Sequence, residues 1–259
     1  MGKGLRFCVH PKRWLPFFII DGIFMGLMAY LLMSNMGMIG AVLTVMSANP
    51  LSAFSLAGLI AIFILLVVLW NLVKLWAIGA LIQQSRNEKG GIQESFRLSS
   101  RLYPSLLGVA VVSGALGLIA GMVHTIFSIL VGLVLYFSMQ EVVIGKKGFR
   151  KAIEGSWNMF RERPVRVFVM WFLVSVIGGT VFLVFFMPLL LSSIMAMLPY
   201  LAQVEDSVAL VASLAYMLSN IETLVVLGGL ALLGFAIMTT FVIKASTEYY
   251  MQSKKRLKF

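Results

Sequence analysis

Six apolar runs, each long enough to cross a lipid bilayer as a helix, alternate along the chain with shorter segments of two contrasting kinds. A helix needs about 20 residues to cross roughly 30 Å of hydrocarbon. The runs Trp14–Met36, Ser52–Ile82, Pro104–Val123, Thr125–Ile144, Val165–Met187 and Thr223–Lys244 meet that length. The second exceeds the membrane thickness and is expected to tilt or project beyond it. Only Met122–Thr125 separates the third from the fourth, which predicts a tight hairpin. Met33–Pro50 and Leu198–Asn220 are mostly apolar and too long for simple turns. In the latter, Val204, Val208, Val211, Ala215 and Leu218 make a helical stripe expected to lie along the interface, with bends at Pro188 and Pro199. The predicted fold class is all-α: a polytopic integral membrane protein forming a single membrane domain.

The segments between runs differ in charge. Of the 21 basic residues, twenty lie in the amino-terminal segment, the loops after the second and fourth runs, and the tail. The remaining one is Lys74, inside a run. The opposite loops hold no Lys or Arg, only Glu205, Asp206 and Glu222. By the positive-inside rule, both termini are expected on the cytoplasmic side of a cell membrane. Composition agrees: 60% of the 259 residues are hydrophobic and 12% charged, against about 25% charged in soluble domains. The net charge of +11 therefore reads as orientation in a membrane, not as a nucleic-acid footprint. A lone cysteine, Cys8, excludes a disulfide within the chain. MGKGLR lacks the Ser/Thr of a myristoylation signal, and no A-x-A-like cleavage site follows Phe17–Leu32, so the first run is expected to stay as a span.

The most basic segment, Gly145–Pro164, carries Phe149, Ile153, Trp157 and Phe160 on one helical stripe, with Lys146, Lys147, Arg150, Lys151 and Arg161 elsewhere. That pattern predicts a helix lying flat in the interface, its cations, Arg163 included, facing anionic headgroups or a cytoplasmic protein partner. Two other basic segments share its opening. Gly4-Leu5-Arg6-Phe7-Cys8-Val9, Gly91-Ile92-Gln93-Glu94-Ser95-Phe96 and Gly148-Phe149-Arg150-Lys151-Ala152-Ile153 all read glycine, apolar, Arg or Gln, variable, small, apolar. Each meets a proline (Pro16, Pro104, Pro164) where a span begins, a residue suited to a first helical turn. Three repeats follow, at about 3–89, 90–146 and 147–259, each an interfacial helix, a span out and a span back.

Ionisable groups inside spans are costly and are the candidates for function. Asp21 and Lys74 both fall in the cytoplasmic half of adjacent helices, where an ion pair would relieve their desolvation, with Asn71 one turn from Lys74 able to join. Such a pair reads as a structural clamp, as a polar element of a substrate or ion path, or, for Lys74 alone, as a side chain snorkelling to the interface. Gln140 and Glu141 end the fourth span; Lys244 and Glu248 sit one turn apart at the end of the sixth, where solvated faces are expected. Gly22-x-x-x-Gly26 and Gly117-x-x-x-Gly121 offer surfaces for close helix approach, within the chain or in an oligomer. Met33, Met36 and Met38 form a thioether group of the kind that suits Cu(I), though methionine is also ordinary apolar filler. His10 and His124 fall on opposite sides of the membrane, and no metalloprotease, P-loop or paired-carboxylate motif occurs, so neither an enzyme nor a cofactor is expected.

The run Lys151–Gly179, with its A-x-x-x-S-W-x-x-F pattern at Ala152, Ser156, Trp157 and Phe160, resembles a group of prokaryotic six-helix membrane families that includes the membrane domain attached to some glycerophosphodiester phosphodiesterases. The resemblance implies a non-catalytic membrane module and carries over no functional residues. The expectation for function is a transport-associated or permease-like component; its rivals are a membrane scaffold or lipid-interacting protein and the anchoring subunit of a membrane enzyme.

Overall fold

Lipid offers no hydrogen bonds, so a backbone crossing it must satisfy its own N–H and C=O groups, and an apolar run does so as a helix. In the computed structural model, residues 7–8, 10–46, 54, 56–88, 90–201 and 221–256 are described. Among them there is no strand, and nine helices follow in order. They are α1 (Pro11–Ser34), α2 (Met36–Met46), α3 (Ala57–Arg86), α4 (Ile92–Val123), α5 (Thr125–Val134), α6 (Ser138–Val143), α7 (Phe149–Glu162), α8 (Pro164–Leu201) and α9 (Ile221–Arg256). Among the described residues, six stretches are long and apolar enough to cross a membrane: Pro11–Ser34, Ala57–Arg86, Ile92–Val123, Thr125–Val143, Pro164–Met195 and Val225–Lys255. The protein is an all-α polytopic membrane protein, with its spans where the apolar runs lie. The stripe from Val204 to Leu218 falls outside the described residues.

Several helices differ from their predicted extent for physical reasons. The expected separate interfacial helix of the second basic segment does not exist: α4 runs from Ile92 through Pro104 to Val123, 32 residues or about 48 Å. A proline removes one intrahelical bond, and Tyr103 just before it is anchored by its hydroxyl, which donates to the Leu72 carbonyl at 3.0 Å. Likewise α8 continues through Pro188 to Leu201 without ending. The fourth span, by contrast, breaks at Leu135–Phe137 into α5 and α6. The hairpin before it is as tight as predicted: extended His124 ends α4, and its Nδ1 caps α5 by accepting from Ile126 N–H at 3.2 Å.

The chain groups into two units. One comprises Met1–Pro16, Leu72–Thr180 and Ile237–Phe259, the other Phe17–Asn71 and Val181–Ala236. In the first, Phe137, Met159, Val167 and Tyr250 form a buried core joining the α5–α6 break to α7, α8 and α9. The Phe137 ring stacks on Tyr249 at 5.7 Å. Close helix approach is made by glycines outside the two motifs. A Cβ at Gly79 would collide with Ser99, and one at Gly108 would lie 3.0 Å from Phe149. Gly22 and Gly26 face open space, while Gly117 and Gly121 reach only ordinary contact with Ser128. In the second unit, Gly234 admits the Phe185 side chain, and Phe182 meets Phe235 edge-on at 6.0 Å.

Candidate functional site

The first unit buries polar groups that its sequence would place at helix ends. Along α9, Thr240, Lys244, Thr247 and Tyr250 recur at helical spacing and all are at most 2% exposed. Lys244 is held by three oxygens: Glu88 Oε1 at 2.5 Å, the Ser85 carbonyl at 3.0 Å and Glu248 Oε1 at 3.1 Å. Arg13 reaches the same loop from α1, donating to Gln84 Oε1 at 2.9 Å and to the Glu88 carbonyl at 2.7 Å. Both cations lie over the Phe7 ring, at 4.7 Å for Arg13 and 4.8 Å for Lys244. A buried ammonium is tolerable only when paired and fully hydrogen-bonded, and two carboxylates with a carbonyl meet that need.

A second cluster surrounds Glu141 on α6. Its Oε2 pairs with Lys147 at 2.9 Å and Lys254 at 3.3 Å, and Lys254 also donates to the Tyr250 hydroxyl at 2.6 Å. Gly155 makes room for this pair, since a Cβ there would lie 2.9 Å from the Glu141 carboxyl carbon and 3.0 Å from the Lys147 ammonium. One residue earlier, Gln140 Nε2 donates to Ser246 Oγ at 3.1 Å. The solvated faces expected at Gln140, Glu141 and Lys244 are thus corrected: tertiary partners 100 or more residues away in sequence turn these groups inward. Each buried charge nonetheless keeps a partner that reaches the surface, Glu88 for Lys244 and Lys147 for Glu141.

The break at Leu135–Phe137 frees backbone groups that must be satisfied. Ser156 of α7 does this for two of them, accepting from Phe137 N–H at 3.2 Å and donating to the Val134 carbonyl at 2.7 Å. Five buried side-chain atoms, Gln83 Oε1, Ser85 Oγ, Ser113 Oγ, Gln140 Oε1 and Thr247 Oγ1, have no hydrogen-bond partner among the described residues.

The remaining predicted residues are placed as follows. Asp21, fully buried in the second unit, accepts from Trp70 Nε1 at 2.8 Å; Lys74, half-buried, belongs to the first unit. Asn71 is exposed and donates to Val67 of its own helix, so it does not join a buried pair. On α7, Ala152, Ser156 and Met159 are the buried face, while Phe149, Arg150, Lys151, Trp157 and Arg161 are exposed and Ile153 and Phe160 half-buried. Lys146 is exposed, in a left-handed turn at φ 52°, and Arg163 is half-buried. Met33 and Met38 are exposed on either side of the turn at Asn35, with Met36 between them half-buried. Among the described residues no group of three or more His, Cys, Asp or Glu is disposed to hold a metal.

Sequence reasoning missed Arg13, Glu88, Ser156, Thr247, Tyr250 and Lys254. The four-residue steps Lys244 to Glu248 and Tyr250 to Lys254, continuing a stripe from Thr240, were the signal available. Trp70 stands one turn before Lys74 on the same helix and was open to the same reading. No protein-family model matches the sequence, no curated protein matches it, and no solved structure matches it.

Proposed function

We propose that this chain is a transport-associated, permease-like membrane component, without a catalytic site of its own, whose working part is the polar interior of the first unit. The observation that carries the reading is that three of the five unpartnered buried atoms, Ser85 Oγ, Gln140 Oε1 and Thr247 Oγ1, border the contacts α9 makes around Lys244 and Ser246. An unsatisfied buried polar atom costs about 1–3 kcal/mol, so a purely structural clamp gains nothing by keeping three of them. A path for a polar solute does, because such a solute needs partners inside the membrane. The Lys244–Glu88 and Glu141–Lys147 pairs, each buried at one end and solvated at the other, then serve as latches that open from one face.

In this reading the basic face is cytoplasmic, with both termini there, and Arg150, Lys151 and Arg161 meet anionic headgroups from an amphipathic α7. The three Gly-led segments share one opening, and the burial of their aligned small residues Cys8, Ser95 and Ala152 supports a common origin for them. The resemblance at Ala152–Phe160 to prokaryotic six-helix modules fits the same assignment.

The test is flux from proteoliposomes holding the full chain and a panel of entrapped protons, potassium and small organic anions. Wild-type chain is expected to release at least one of these faster than protein-free vesicles. Gln140→Leu with Thr247→Val should abolish that release while leaving the melting temperature unchanged or higher. Release no faster than from empty vesicles across the panel, or full flux in the double variant, overturns the reading in favour of a static scaffold.

A further inference from the structure

Between the first half of α8 and the last third of α9 runs an open groove of about 520 Å³, within the roughly 300–1,000 Å³ typical of small-ligand sites. Its floor is apolar, made by Met170, Leu173 and Val174 on one wall and Phe241 and Ala245 on the other. Its mouth is cationic, with Arg166 in the first turn of α8 and Arg163 just before that helix. Among the described residues neither guanidinium forms an ion pair. Glu248, on the opposite rim, is bound to Lys244 at 3.1 Å and pairs with neither arginine.

Distance along the helix sets what fits. From Pro164, which follows Arg163 and opens α8, to Val174 is ten residues, about 15 Å at 1.5 Å per residue, which is roughly half of a 30 Å hydrocarbon core. A ligand with its charge at the arginines would therefore lay its apolar part through one leaflet. Pro164 has no N–H and that of Val167 is bonded to the Arg163 carbonyl, so the N–H groups of Val165 and Arg166 are the ones without an intrahelical acceptor that add positive potential at the mouth. Arg163 stands in the break between α7 and α8, its N–H bonded to the Phe160 carbonyl, so its position is set by backbone geometry.

We propose that this groove is a discrete binding site for one anionic phospholipid, its phosphate held by Arg163 and Arg166 and an acyl chain laid along the floor to Val174. The proposal requires only that the chain be a membrane protein and stands apart from the transport reading. A zwitterionic lipid lacks the net charge to match two unpaired guanidiniums, and a free phosphate lacks the chain to fill the apolar floor.

The test is native mass spectrometry of the full chain in non-ionic detergent, titrated with phosphatidylglycerol, phosphatidylcholine or inorganic phosphate. One phosphatidylglycerol is expected to stay bound where phosphatidylcholine and phosphate do not. Each basic residue near a headgroup contributes about a five-fold factor, so R163Q/R166Q should weaken retention roughly 20- to 30-fold. R97Q/R101Q, the same loss of charge outside the groove, should leave it unchanged. Met170→Trp, or Leu173→Phe should the former not fold, fills the floor and should displace the lipid with both arginines intact. Unchanged retention in R163Q/R166Q, equal loss in R97Q/R101Q, or phosphate binding as tightly as the lipid would each overturn the site.

Discussion

The segments that open at Gly91 and Gly148 begin alike and end differently. Both glycines start a helix from the same extended conformation, φ/ψ −65°/146° and −64°/161°. Four residues on, Ser95 and Ala152 are buried; eight residues on, Ser99 and Ser156 are buried, and each donates to a carbonyl of the preceding span at 2.7 Å. There the likeness stops. Ser99 binds the Trp76 carbonyl of an unbroken α3, and α4 continues straight through Pro104. Ser156 stands against a broken span and holds both a carbonyl and an N–H across the gap, while its own helix ends at Arg163, before Pro164. One local motif thus gives a continuous helix where its neighbour is intact and a helix-break-helix where its neighbour is interrupted. The residue before a proline avoids helical geometry unless packing holds it there; Tyr103 is held by its bond to Leu72, whereas Arg163 sits at φ −144° and ψ 56°.

The largest expected difference lies between the two serines. Ser156→Ala orphans a buried N–H and a part-buried carbonyl and should cost about 2–4 kcal/mol, whereas Ser99→Ala removes one hydroxyl from an intact helix and should cost about 1 kcal/mol. Thermal unfolding in detergent reads both; equal losses would mean that Ser156 does not hold the break. Next come the glycines beside these contacts. Gly155→Ala drives a methyl against the Glu141–Lys147 pair and Gly79→Ala drives one into Ser99, each at about 1–3 kcal/mol. Only Gly155→Ala should also speed exchange of the amides around Phe137, and hydrogen exchange would detect it.

The smallest effect extends the comparison to the first Gly-led segment, where Cys8 occupies the buried small position. Burial pushes its thiol from 9.0 up to about 12, with nearby Lys244 drawing it partly back. Between those values the unfolded chain releases the proton and the folded chain keeps it, so the contribution of Cys8 to stability falls as pH rises above 9. Maleimide labelling of folded protein at pH 8–9 should be slow, and in SDS it should rise with a midpoint near the ordinary cysteine value. Rapid labelling in the folded state would separate the first segment from the other two.

How much was legible follows from how far each feature reaches along the chain. Asp21 could be marked as buried, because an acid among apolar residues has nowhere else to go, but its bond to Trp70 depends on which face α3 presents. Glu141 and Lys244 looked solvated because they stand at the ends of their spans, close to the interface; the partners that bury them, Lys254 and Glu88, are 113 and 156 residues distant. Gly22 and Gly26 carried the expected packing spacing yet meet nothing within 4 Å, because spacing defines a flat face without supplying a helix to cover it.

By itself the amino-acid order determined that this is an all-helical membrane protein with six spans, and where each one lies. Lipid forces every apolar run of sufficient length to satisfy its backbone internally, and that decision is made within about 20 residues. Only the tertiary structure decided where a span breaks, which glycines are needed and which charges meet. Those outcomes depend on single side chains arriving from distant parts of the chain, and no local pattern records their arrival.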